Sequence, residues 1–98
     1  MLDLQTLQEK ILKICAPHTI LLFGSQAKGT ATEDSDVDLC VIAPTSDKRK
    51  LLTELYFHVE FDRPVDFVLY TPEEWASSIT DSHSFAYKLQ REGVRLYG

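Results

Sequence analysis

Residues 21–43, LLFGSQAKGTATEDSDVDLCVIA, decide the fold because they join two apolar segments through a glycine-containing turn. The run TILLF at 19–23 is short, apolar and bounded by turn signals, which predicts a buried strand. The run DVDLCVIA at 36–43 predicts a second strand, which Pro44 ends. Between them, residues 24–30 predict a tight turn that leads into a short helix.

Two aspartates stand at the start of the second predicted strand. Because successive residues of a strand point to opposite faces, Asp36 and Asp38 lie on one face, about 6.5–7 Å apart along the strand. Two carboxylates so close repel each other unless a cation lies between them. The other face of this strand is wholly apolar and is predicted to pack on helices; it carries Val37, Leu39, Val41 and Ala43.

A third aspartate, Asp66, lies in the predicted strand PVDFVLY at 64–70. An isolated carboxylate in such a strand is costly to desolvate. If this strand lies beside the second one, Asp36, Asp38 and Asp66 converge on one face. Three carboxylates suit two magnesium ions about 3.5–4 Å apart, an arrangement used for phosphoryl transfer. Asp62 competes for the third position, but it lies in a predicted turn before Arg63.

The turn has the properties of a phosphate-binding loop. Gly24 lets the backbone approach a ligand closely, Ser25 can donate its hydroxyl, and Lys28 adds a positive charge. A triphosphate would then bridge the turn and the metals. A P-loop is excluded because Thr30 and Ala31 follow Gly29 where Lys and Ser/Thr are needed. An EF-hand beginning at residue 34 is excluded because Leu39 and Thr45 take the required glycine and glutamate positions.

The rest of the chain supplies helices and one more strand. Helices are predicted over 3–15, 46–60 and 82–91, the last one burying Phe85, Ala86 and Leu89. TPEEW at 71–75 predicts a capping box, and VRLY at 94–97 a short terminal strand. The expected architecture is a single α/β (α+β) domain over 1–98, a small mixed sheet with helices mainly on one face. Aromatic residues outside the strands are interpreted as core or interface rather than as a base-stacking platform: Trp75, Phe85 and Tyr87.

Composition narrows the class of protein. A net charge of −5 and a pI of about 5.0 argue against direct binding of long nucleic acid. No apolar run reaches the roughly 20 residues that span a bilayer, and the N-terminus has no secretion signal. Cys15 and Cys40 lack CxxC spacing and are expected to be reduced and buried, so we expect a cytoplasmic protein.

The combined pattern G-S-x-A-x-G, then D-x-D-L, then a third aspartate resembles the nucleotidyltransferases of the DNA polymerase β superfamily, and the short chain resembles their minimal members. The resemblance implies the polymerase β-like fold, ATP as nucleotide donor and two Mg²⁺ ions. It implies that Gly24 and Ser25 bind phosphates, and that Asp36, Asp38 and Asp66 bind the metals, with Asp66 nearest the acceptor hydroxyl. Many relatives carry Arg where this chain has Gln26 or Lys28, so phosphate binding is expected to depend more on the backbone and Lys28.

The resemblance also implies a partner. Minimal nucleotidyltransferases are commonly paired with small helical HEPN proteins in toxin–antitoxin modules, in some of which the antitoxin adenylylates a tyrosine of the toxin. The expected function is therefore transfer of AMP from ATP onto a hydroxyl of a HEPN partner within a hetero-oligomer. One alternative is a non-catalytic antitoxin that neutralises its partner by stoichiometric contact. Another is nucleotidylation of a small molecule such as an aminoglycoside, against which the lack of an acceptor-binding domain argues.

Overall fold

In the computed structural model, residues 3–32 and 34–98 are described. Their four strands form one mixed sheet in the order β3-β2-β1-β4, in which β1 runs antiparallel to β2 and β4, and β2 runs parallel to β3. The elements, in chain order, are α1 (Leu4–Leu12), β1 (Thr19–Phe23), α2 (Ser25–Lys28), β2 (Val37–Ile42), α3 (Lys48–His58), β3 (Val65–Tyr70), α4 (Pro72–Ser78), α5 (Phe85–Glu92) and β4 (Val94–Tyr97).

Side-chain caps set the helix starts. Asp3 accepts a hydrogen bond from the Thr6 N–H at 3.0 Å and is the N-cap of α1. The predicted capping box of α4 is also present: the Glu74 N–H donates to the Thr71 hydroxyl at 3.2 Å, and the Thr71 N–H donates to the Glu74 carboxylate at 2.9 Å. The predictions over 46–60 and 82–91 began too early because Asp47 and Ser84 are the caps.

The larger core lies on one face of the sheet. The predicted apolar face of β2 is fully buried there, with Val37, Leu39 and Val41 each 0% exposed. Its partners come from the two long helices on that side: Leu7 and Ile11 of α1, and Leu51 and Leu55 of α3. Burying such side chains stabilises the domain by roughly 1.5–3 kcal/mol each. This is the face on which the two long helices, α1 and α3, pack, as the sequence predicted for most of the helical packing.

A smaller core covers the opposite face. Leu21, Cys40 and Ile42 pack there with Leu89 of α5, and Trp75 of α4 packs against them. Burial raises the pKa of the Cys40 thiol to about 12. Phe85 was predicted to be buried, and this is wrong, since 46% of it is exposed. The two cysteines are free thiols, and Cys15 is only partly buried.

The open edge of the sheet beside β3 is covered at one point. The Phe67 N–H donates to the Tyr56 hydroxyl of α3 at 2.9 Å, and the two rings meet edge to face with centroids 5.2 Å apart.

In the described part of the chain, no helix has the length and apolar character needed to cross a membrane.

Candidate active site

The three predicted carboxylates lie at the same end of the sheet. Asp38 on β2 and Asp66 on β3 are directly paired across the parallel strands, and Asp36 immediately precedes β2. Asp38 is half-buried, whereas Asp36 and Asp66 are exposed. The parallel pairing of β2 with β3 therefore brings carboxylates that are far apart in the sequence onto neighbouring strands.

The carboxylates influence one another electrostatically. The pKa of Asp38 is raised above its ordinary value, first by burial and then by the negative charges of Asp66 and Asp36. Within residues 3–32 and 34–98, no three acidic, histidine or cysteine side chains converge as a preformed metal centre. The donor set is nevertheless the one that Mg²⁺ prefers, hard carboxylate oxygens on adjoining positions. A divalent cation would also offset the negative charges of Asp66 and Asp36, which add to the effect of burial on the pKa of Asp38.

Gly24 lies against the Asp38 carboxylate. It follows Phe23, the residue that pairs with Asp38 between β1 and β2. Its backbone has φ 72° and ψ −155°, a conformation that is essentially restricted to glycine. A Cβ added there would overlap the Asp38 carboxylate, with Cγ at 3.2 Å and one carboxylate oxygen closer still. Both the backbone and the neighbouring carboxylate therefore require glycine.

The turn after Gly24 starts α2. The Gly24 carbonyl accepts hydrogen bonds from the N–H groups of Ala27 and Lys28, at 3.1 and 3.2 Å. The N–H groups of Ser25 and Gln26 precede these first intrahelical bonds, as they do at any helix start. The Gln26 side chain donates to the Ser35 carbonyl at 3.3 Å and so ties the turn to the segment just before Asp36. This bond was not anticipated from the sequence, because nothing in the spacing of the two residues indicates it.

Lys28, predicted to bind phosphate, is oriented toward α5. Its Nζ lies 3.9 Å from the Glu92 carboxylate, and both side chains are about half exposed. An exposed pair of this kind typically contributes only about 0.2–1 kcal/mol, so it does not fix the lysine in place. Lys28 thus stands at the boundary between the turn and α5.

A wide hollow adjoins Asp66 on the outer side of β3. It has a volume of about 760 Å³ and is lined by Tyr56 and by residues of the 59–67 segment, including Asp66. The competing carboxylate Asp62 also lines it, but Asp62 pairs with Arg63, whose Nε lies 3.2 Å from it. Asp66, in contrast, is the carboxylate paired with Asp38.

The structure brings together the features expected of a nucleotidyltransferase, namely a small mixed sheet, paired aspartates at its end and a glycine-serine turn beside them. The comparison with known families agrees on this class. The nucleotidyltransferase domain family matches residues 5–89, so the chain belongs to this family. The mixed four-stranded sheet with its helices is the polymerase β-like fold that the sequence predicted.

One stretch of the chain is shared with a particular relative. Over 33 residues the chain is 61% identical to a protein of Methanocaldococcus jannaschii named "Putative protein adenylyltransferase". The match covers 34% of this chain and 22% of that protein, so the chain matches about a fifth of the length of its relative. The family and this relative together support nucleotidyl transfer as the general chemistry.

Proposed function

We propose that the chain transfers AMP from ATP onto a hydroxyl group, in a magnesium-dependent reaction whose acceptor is a tyrosine of a helical HEPN partner. The observation that carries the proposal is the pairing of Asp38 with Asp66 beside the Gly24 turn, in a chain of the nucleotidyltransferase family. The name of the archaeal relative supports a protein as the acceptor. In this function the chain is an antitoxin that modifies its partner.

Each site residue has a distinct task in the proposed reaction. The Gly24–Ser25 backbone and the Ser25 hydroxyl bind the phosphates, and Asp36 and Asp38 would hold the magnesium ions. Bound magnesium would supply Lewis-acid stabilisation of the charge that develops on the phosphoryl oxygens. Asp66 orients the acceptor hydroxyl in line with the α-phosphorus. The acceptor oxygen forms a new bond to the α-phosphorus, and the bond from the α-phosphorus to the oxygen that bridges to the β-phosphate breaks. Pyrophosphate leaves, and the hydroxyl proton is released to solvent.

In this proposal the acceptor hydroxyl lies on the Asp66 side of the site. Asp66 is exposed on an edge strand, and it lines the hollow of about 760 Å³ beside that strand. The chain is acidic, with a net charge of −5, so a basic partner surface is complementary to it.

A second function, neutralisation by contact without catalysis, is favoured by one observation. At the two turn positions where many relatives carry Arg, Gln26 is bonded to Ser35 and Lys28 stands beside Glu92. A turn with fewer available cations holds a triphosphate less firmly. A chain with an idle site would still act as a binding antitoxin.

Intact-mass analysis separates the two functions. The chain is co-purified with the product of its neighbouring gene, incubated with Mg-ATP and analysed by mass spectrometry. Catalysis predicts a mass increment of one or more AMP units on the partner, whereas contact alone predicts a stable complex with no increment. Asp66→Asn should stop the modification and spare the complex, while the matched control Asp62→Asn, in the same hollow, should retain both. Modification by the Asp66 variant at the wild-type rate would remove Asp66 from the site.

A further inference from the structure

A cleft between α2 and α5 opens beside the glycine turn. It has a volume of about 190 Å³ and is lined by Gly24, the aromatic rings of Phe23 and Phe85, and the lysines Lys28 and Lys88. We call it the α2–α5 cleft. Because Gly24 lies against the Asp38 carboxylate, the cleft is continuous with the candidate phosphate and metal site.

The cleft lies on the same face of the sheet as the carboxylates. Leu21 and Cys40 both belong to the smaller core, so they mark one face of β1 and β2. Phe23 and Asp38 are each two residues away from them and therefore share that face. Leu89 of α5 packs on this face as well, which places α5 beside the aromatic wall of the cleft.

The partly exposed ring of Phe85 lies at the border of the smaller core and is not among its buried residues. Phe85 is 46% exposed, and its ring meets that of Phe23 edge to face with centroids 5.7 Å apart. Aromatic residues with a free face are the surfaces on which nucleobases stack in single-strand-binding proteins. Phe85 was predicted to lie in the core or an interface, but its exposed ring leaves an aromatic surface accessible to a ligand.

The rim of the cleft carries charges suited to the polar parts of a nucleotide. Lys28 and Lys88 are exposed, and Glu92 is the acidic residue beside Lys28. Because exposed ion pairs contribute little, Lys28 is able to leave Glu92 for a phosphate. An apolar aromatic interior with two lysines at its mouth matches a ligand that has an aromatic base at one end and phosphates at the other.

We propose that the α2–α5 cleft binds the nucleoside portion of the donor nucleotide, with the base against the Phe85 ring. This rests on the proposed function, which requires a nucleoside triphosphate at the adjoining turn. The cleft gives the chain a contact that distinguishes a nucleoside triphosphate from bare polyphosphate.

Calorimetric titration with two probes tests this. Mg-ATP and magnesium tripolyphosphate share the phosphates, but only ATP carries a nucleoside. Phe85→Ala should weaken ATP binding by about 5- to 150-fold, the effect expected when one stacking ring is lost, and leave tripolyphosphate binding unchanged. Phe85→Tyr should bind both probes as the wild type does. The control is Phe57→Ala, which removes an aromatic ring that is 76% exposed on α3 and should affect neither probe.

The possible outcomes are distinct. The cleft assignment would be overturned if Phe85→Ala bound ATP as tightly as the wild type does, or if it lost affinity equally for both probes. It would also be overturned if the wild-type protein bound ATP no more tightly than tripolyphosphate. If Phe85→Ala does not fold, Phe85→Leu keeps the apolar bulk without the aromatic face and should lose ATP affinity selectively. A wild-type protein that binds neither probe and forms no AMP adduct would refute the proposed function, whereas an adduct formed by Phe85→Ala at the wild-type rate under limiting ATP would refute only the cleft.

Discussion

Replacing Gly24 by alanine should damage the site far more than the fold. The Gly24 backbone lies in a region that costs other residues about 1–3 kcal/mol. The added Cβ would also overlap the Asp38 carboxylate, and because the Gly24 backbone is fixed by the start of α2, the carboxylate must move. Gly24→Ala should therefore displace one of the proposed metal ligands as well as lower stability.

The chain contains a matched control for the backbone effect. Gly29 ends α2 in the left-handed conformation with φ 75°, and a Cβ added there would meet nothing within 4 Å. Gly29→Ala should cost about 1–2 kcal/mol from the positive φ alone. For a domain of this size each kcal/mol lowers the Tm by about 4–8 °C, so both variants should remain folded at a low assay temperature if the wild type melts as ordinary domains do.

The assay compares the two variants for stability and for transfer. Tm is measured first, and AMP transfer to the partner is then followed well below both melting temperatures. A displacement of about 1 Å in a catalytic group can reduce the rate by about 10²-fold, so Gly24→Ala should lose at least that much transfer. Gly29→Ala should retain near wild-type transfer. Equal activity in the two variants would show that the contact between Gly24 and Asp38 does not position the site.

Three further substitutions test the charges of the site and the cap of α4. Asp38→Asn should abolish transfer and, in the presence of a chelator, raise the Tm, because the charged Asp38 carboxylate is disfavoured first by burial and then by the negative charges of Asp66 and Asp36; a lower Tm would contradict this. Thr71→Ala should lower stability by about 1 kcal/mol through the lost cap of α4, with transfer unchanged. Glu74→Gln tests the pH dependence of the same cap: hydrogen bonds from Thr71 and Lys48 lower the pKa of Glu74, so its contribution is present above the ordinary value of 4.5 and is lost as the pH falls through the lowered pKa. Melting curves of wild type and Glu74→Gln should therefore differ at pH 7 and converge in acid.

The strands and the caps were predictable because their signals are local. The alternation in β2 identified Val37, Leu39 and Val41 as the buried face, and Thr71 with Glu74 marked the start of α4. Each of these depends on residues within one element. The sequence could also place the aspartates at the start of their strands, because Asp36, Asp38 and Asp66 have fixed positions relative to the apolar runs.

The remaining features depend on contacts between distant segments. The pairing of Lys28 with Glu92 and the exposure of Phe85 both follow from where α5 packs on the sheet. The apolar spacing of α5 marks Ala86 and Leu89 as buried, but it does not show that the first turn, with Phe85, extends past the smaller core. The parallel pairing of β2 with β3 was a condition of the site hypothesis, and only the structure supplied it.

The hydroxyl of Tyr56 has a consequence for how other chains can meet this one. By accepting the Phe67 N–H on the outer edge of β3, it occupies a position that a further strand would need for its own ladder. A sheet edge without such protection invites strand addition and aggregation. A partner that adds a strand beside Phe67 to reach Asp66 must therefore first displace the Tyr56 hydroxyl, whereas a partner that binds through its side chains or a helix need not.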